Sequence, residues 1–82
     1  RGIAMMGSDM GNDVNPPQYE KVQSPIHQVS ITAMGIWILD NADLEDVAAA
    51  CKDRNRWEFM ISIGPLRLHN TTGSPVNPIA IF

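Results

Sequence analysis

Residues 24–41 read Ser24-Pro25-Ile26-His27-Gln28-Val29-Ser30-Ile31-Thr32-Ala33-Met34-Gly35-Ile36-Trp37-Ile38-Leu39-Asp40-Asn41, and the period of their apolar residues changes midway. Ile26, Val29, Ser30, Ala33 and Met34 fall at helical spacing. Pro25 suits the first helical turn and Gly35 suits the end of the helix. Ile36 to Leu39 is then an unbroken apolar run with an aromatic and β-branched residues, which predicts a strand buried on both faces. Asp40-Asn41 closes it. If the chain reverses at Gly35 so that helix and strand pack antiparallel, His27 near the helix start and Asp40 at the strand end can converge.

Outward from this stretch the pattern repeats. Ile3 to Met6 is a short apolar run between Gly2 and Gly7, the pattern of a buried strand with sharp turns at its flanks. Ser8 to Pro25 shifts to Asp, Asn, Gly and Pro, including Asn15-Pro16-Pro17, and predicts a long structured loop. Loops of that length in compact domains are functional or disordered, and the histidine that follows favours function. Downstream, Asp43 suits the N-cap of a helix from Leu44 to about Arg54. Glu45 and Asp46 lie in its first turn, Lys52 and Arg54 in its last, which complements the helix dipole. Trp57 to Leu68 predicts a long strand interrupted at Gly64-Pro65, Asn70 to Pro75 a turn-rich loop, and Ile79 to Phe82 a terminal strand.

Helices alternating with apolar strands give the α/β class, with two helices and mostly buried strands in a single domain over 1–82. A domain of 82 residues buries only a modest share of its surface, so help from another chain or a further segment is expected. A start at Arg1 that opens directly on a strand reads as a piece of something longer.

Composition narrows the function classes. Hydrophobic content of 44% against 18% charged residues is that of a folded chain, not of a disordered tail. Six Lys and Arg and a net charge of -3 provide no clustered basic patch, so nucleic acid is not an expected partner. The longest apolar run, Ile31 to Leu39, is about half of a bilayer span, so no membrane partner is expected. With no export signal visible either, the expected location is the cytoplasm. Cys51 is the sole cysteine; in the run Val47-Ala48-Ala49-Ala50-Cys51 it reads as a packed small hydrophobe. No phosphate-binding glycine loop and no nucleophile elbow are present.

Two groups of residues could carry chemistry. His27 and Asp40 supply an imidazole nitrogen and a carboxylate oxygen, which suit zinc, manganese or iron. Two donors do not complete a metal site, and the same residues fit a hydrogen-bonded structural histidine and a strand-ending turn. The second group is Gly7-Ser8-Asp9 directly after the first strand, with Asp13 four residues on. Strand ends commonly carry substrate or metal contacts, and side-chain to backbone bonding within a turn explains these residues equally well. His69 lies in a predicted loop.

Three stretches together resemble the C-terminal portion of the cyclase family, which includes the kynurenine formamidase-like metal-dependent hydrolases. They are GIAMMGSD (2–9), SPIHQVSITAMGIWILDNADLEDVAAAC (24–51) and RWEFMISIGPLRLHNTTGSPVNPIAIF (56–82). The resemblance implies the C-terminal part of a swivelling β/β/α-type domain. It also implies a divalent metal, zinc or manganese, with His27 and Asp40 as ligands, and a substrate pocket lined by Ser8, Asp9 and Ser74. Asp40 stands where the family often has glutamate. The family's remaining ligands come from an upstream motif, His-x-Gly-Thr-His-x-Asp-x-Pro-x-His, which this sequence lacks. A missing N-terminal segment or a second chain would supply it, along with the base that moves the proton. The implied activity is hydrolysis of an amide-type bond in a small-molecule substrate, a formamide or a cyclic amide, by a homo-oligomer. A competing resemblance is to the formylglycine-generating fold, where Met-Gly-Ser and a later Pro-x-His also occur, but it leaves Gly73-Ser74-Pro75-Val76-Asn77-Pro78 unexplained. A noncatalytic structural or interaction module is the alternative outside enzymes.

Overall fold

The computed structural model describes residues 2–82. The chain divides into two compact units, the first ending at Leu44 and the second spanning Glu45–Phe82. Strand β1 (Met5–Gly7), helix α1 (Pro25–His27) and strand β2 (Trp37–Leu39) belong to the first. Helix α2 (Glu45–Arg54) and strands β3 (Met60–Ser62) and β4 (Ile79–Ile81) make the second. The result is a small α/β protein with two small sheets.

In the first unit β1 and β2 pair in parallel, Met5 with Trp37, Met6 with Ile38 and Gly7 with Leu39. Parallel strands require a crossover, and here it carries the polar loop and α1. Such a β–helix–β unit sets the strand carboxyl ends, where open α/β sheets bind ligands, on the same side as the helix start. Ser8 follows β1, Asp40 follows β2, and His27 lies in the first turn of α1. Beyond the strands the two chain ends stay zipped together: Ser8 donates its N–H to Leu39 O (3.1 Å), Ala42 to Ser8 O (2.9 Å) and Asn41 to Met10 O (3.1 Å).

The predicted helix over 26–34 has two parts. After His27 it widens into a π-helical turn, Gln28–Ala33, in which Met34 donates to Val29 O at 3.0 Å. Val29, Ile31 and Thr32 are β-branched and crowd a tight α-turn, and a π-turn takes up an extra residue without breaking the helix. Gly35 then reverses the chain with φ of +67°, and Ile36 donates its N–H back to Ser30 O at 2.8 Å. Ser30 and Ile36 are buried here. Gly35→Ala should destabilise the chain by about 1–2 kcal/mol, because the cost of a Cβ in the left-handed region is conformational and no neighbouring atom would clash. Gly64→Ala is the control: that glycine has neither close neighbours nor a positive φ, so its effect should stay within about 0.5 kcal/mol. Equal urea midpoints for the two variants would contradict this account of the turn.

In the second unit α2 spans Glu45–Arg54, with Glu45 and Asp46 in its first turn and Lys52 and Arg54 in its last, as its charge pattern predicts. It stops in a Schellman arrangement. Asn55 has φ of +47°, its N–H reaches Lys52 O (3.2 Å), and that of Arg56 reaches Cys51 O (3.0 Å). Cys51 is buried, in keeping with a packing role. Strands β3 and β4 are antiparallel, with Ile61 opposite Ala80. Phe59 and Phe82 lie beside them with ring centroids 5.1 Å apart and planes tilted by 45°, and the Arg54 guanidinium lies 5.0 Å over the Phe82 ring.

Two expectations need correction. The strands are not mostly buried: Met5, Trp37, Met60, Ile61, Ile79 and Ile81 are all exposed, since a two-stranded sheet leaves faces that it cannot cover by itself. The long strand over 57–68 shrinks to Met60–Ser62. Pro65 has no N–H for a ladder, and β4 provides only three pairing residues.

Candidate functional site

The convergence that the reversal at Gly35 makes possible does occur. His27 Nε2 lies 2.8 Å from Asp40 Oδ2, at the carboxyl end of the parallel strand pair. The other ring nitrogen, Nδ1, lies 2.5 Å from Asp13 Oδ2. The imidazole is therefore held between two carboxylates.

Each carboxylate is anchored in turn. Asp13 accepts the backbone N–H of Ile26 on Oδ1 at 2.7 Å and that of His27 on Oδ2 at 3.1 Å. It thus caps α1 from across the loop, while Ser24, at the N-cap position, makes no side-chain cap. This satisfies backbone donors that a helix start leaves without partners. On the opposite side Asp40 Oδ1 accepts both the backbone N–H of Asn12 (2.7 Å) and its side-chain Nδ2 (2.6 Å), which leaves Oδ2 turned to the ring. Consecutive residues thus serve both sides of the ring: Asn12 anchors the Asp40 carboxylate, and Asp13 is itself the other carboxylate.

The charges reinforce one another. Foremost the Asp13 hydrogen bond, and after it the Asp40 bond and charge, hold the His27 imidazole above its ordinary value of 6.5 against a smaller opposing effect of desolvation. Partial desolvation pushes the Asp13 carboxyl upward, but the N–H of Ile26 and the bonds to His27 outweigh it and leave the group below 3.8. Asp40 follows the same pattern, with the two Asn12 bonds and then His27 overriding desolvation. The imidazolium between two carboxylates is the favoured ionisation state. The His27 side chain keeps 35% of its exposure and that of Asp40 29%, whereas Asp13 keeps 11%. The His27–Asp40 side is the more open to solvent.

The donor set fits a divalent metal in part. His27 Nε2 and Asp40 Oδ2 face each other, and imidazole with carboxylate is a zinc or manganese combination. Asp13 faces the far nitrogen, so the three side chains do not converge on one point, and among the described residues no group of three or more His, Cys, Asp or Glu is placed to hold a metal ion. Further ligands would have to join His27 and Asp40.

The other candidate residues are engaged locally. The Ser8 hydroxyl donates to Met10 O within its turn, and Asp9 is exposed beside it. Ser74 belongs to the second unit, where its hydroxyl accepts the N–H of Leu66 at 2.8 Å and donates to Pro75 O at 2.7 Å. Asn12 carries no signal in the sequence. Asp13 does carry one: a helix that starts at Pro25 with no acidic residue in its first turn needs an acceptor from elsewhere, and the preceding loop offers it.

Among the described residues no helix is long and apolar enough to cross a membrane. Compared with known proteins, the chain matches no family model, no curated protein and no solved structure.

Proposed function

We propose that this chain supplies part of the active site of a metal-dependent hydrolase acting on an amide-type bond, with His27 and Asp40 as two of the metal's ligands. The observation that carries the reading is the facing of His27 Nε2 and Asp40 Oδ2 across 2.8 Å at the open carboxyl end of a parallel strand pair. When bound there, a divalent metal would polarise a substrate carbonyl and bring water toward ionisation near neutral pH. The chain's own residues hold and orient: Asn12 fixes one oxygen of Asp40 so that the other stays aimed at the ring, and the partial exposure of both ligands leaves an approach for a formamide or a cyclic amide. The remaining ligands and the base come from the histidine-rich segment that the cyclase-family resemblance places upstream, in a longer polypeptide or a second chain. The exposed apolar residues of all four strands support such a completion, and with it the β/β/α-type domain and a homo-oligomer.

The test is calorimetric titration of the metal-free chain with zinc and with manganese, alone and joined to a polypeptide that carries the histidine motif. One metal per chain in the joined form, with hydrolysis of a formamide, is expected. No uptake in either form removes the hydrolase reading. It would favour the rival reading, a noncatalytic module in which His27, engaged on both ring nitrogens, is an ionic clamp between loop, helix and strand.

A further inference from the structure

The two carboxylates beside His27 are not equivalent. A neutral imidazole has one N–H, and the nitrogen that keeps it determines which carboxylate faces a lone pair. Asp13 is the closer partner, at 2.5 Å against 2.8 Å for Asp40. It is also the better shielded, with 11% of its side chain exposed against 29%. Charge-assisted hydrogen bonds gain strength when they are short and kept from water. Nor can Asp13 turn away, because the N–H groups of Ile26 and His27 pin both its oxygens at the start of α1.

We propose that Asp13 is the positioning residue of the site: its carboxylate keeps the imidazole proton on Nδ1 and so leaves the Nε2 lone pair directed at Asp40. A histidine that ligates a metal needs this arrangement, with its other ring N–H given to a carboxylate behind it. The inference rests on the hydrolase reading for its purpose, but the tautomer is a property of the metal-free chain. Without Asp13, Asp40 is the sole carboxylate at the ring, and the proton moves to Nε2, where it occupies the direction a cation would take.

The experiment is two-bond nitrogen–proton correlation of the ring nitrogens in the metal-free full chain, labelled with 15N-histidine, at a pH above the titration of His27. His69, exposed in a turn, serves as the internal reference. Expected are the Nδ1–H tautomer for His27 in the wild type and in Asp40→Asn, and the Nε2–H tautomer in Asp13→Asn. Zinc binding in Asp13→Asn should weaken by roughly 10–100-fold, the usual loss for an outer partner of a ligating histidine. A wild-type His27 that carries its proton on Nε2 overturns the proposal, and so does an Asp13→Asn ring that keeps Nδ1–H. Should Asp13→Asn fail to fold, the wild-type and Asp40→Asn spectra decide. Wild-type Nδ1–H without zinc uptake, in the chain alone and joined to the histidine-motif polypeptide, supports the role of Asp13 and overturns the hydrolase reading alone.

Discussion

Replacing His27 by alanine is expected to lower zinc or manganese affinity by more than the roughly 10–100-fold that loss of an outer partner costs, and to abolish hydrolysis in the completed assembly. The substitution deletes the imidazole nitrogen that faces Asp40 Oδ2, and with it one of the two proposed ligands. Asp40 can still accept from Asn12, and Asp13 can still cap α1, so the backbone around the site has anchors that do not involve the imidazole. A His27→Ala chain that binds metal as the wild type does would show that the ligand lies elsewhere. Far-ultraviolet circular dichroism on the same samples separates loss of binding from loss of fold.

The second expected effect is a plateau of stability in acid. Because the folded chain holds His27 above 6.5, its contribution is complete below 6.5 and disappears as pH rises through the raised value. Asp13 and Asp40 are held below 3.8, so their contributions are complete above 3.8 and disappear as pH falls through the lowered values. The three coexist in full between those limits. Thermal midpoints recorded from about pH 3 to about pH 10 should therefore decline on the alkaline side in the wild type, and this decline should flatten in His27→Gln. Parallel profiles for the two proteins would mean that the ionisation of His27 contributes nothing to folding. The partial exposure of His27 and Asp40 keeps the difference modest, since water screens their attraction.

What the sequence reveals of this arrangement follows from the range over which each signal acts. The ends of α2 are legible because opposite charges sit in its first and last turns, and Cys51 is legible as packed because small apolar neighbours surround it in the chain. The meeting of His27 and Asp40 is legible because only one glycine-led reversal separates helix from strand. The role of Asp13 is legible only in part: the start of α1 has no acidic residue of its own, but no local pattern says that a carboxylate from across the loop supplies the cap and also reaches the ring. The π-turn over 28–33 is hidden for a related reason: one residue more than an α-turn holds leaves the apolar spacing of Val29, Ser30, Ala33 and Met34 looking helical. Strand burial fails as an expectation because apolar content reports what a strand prefers to contact, and the described residues do not supply that contact.

The crossover between β1 and β2 keeps this constellation local. Asn12, Asp13, His27 and Asp40 all belong to the first unit, on one uninterrupted stretch of chain. No residue from 45 onward contributes a side chain to the four-membered network. The stretch from β1 to the turn after β2 therefore carries the whole network, from the loop that anchors it to the strand end that faces the ring.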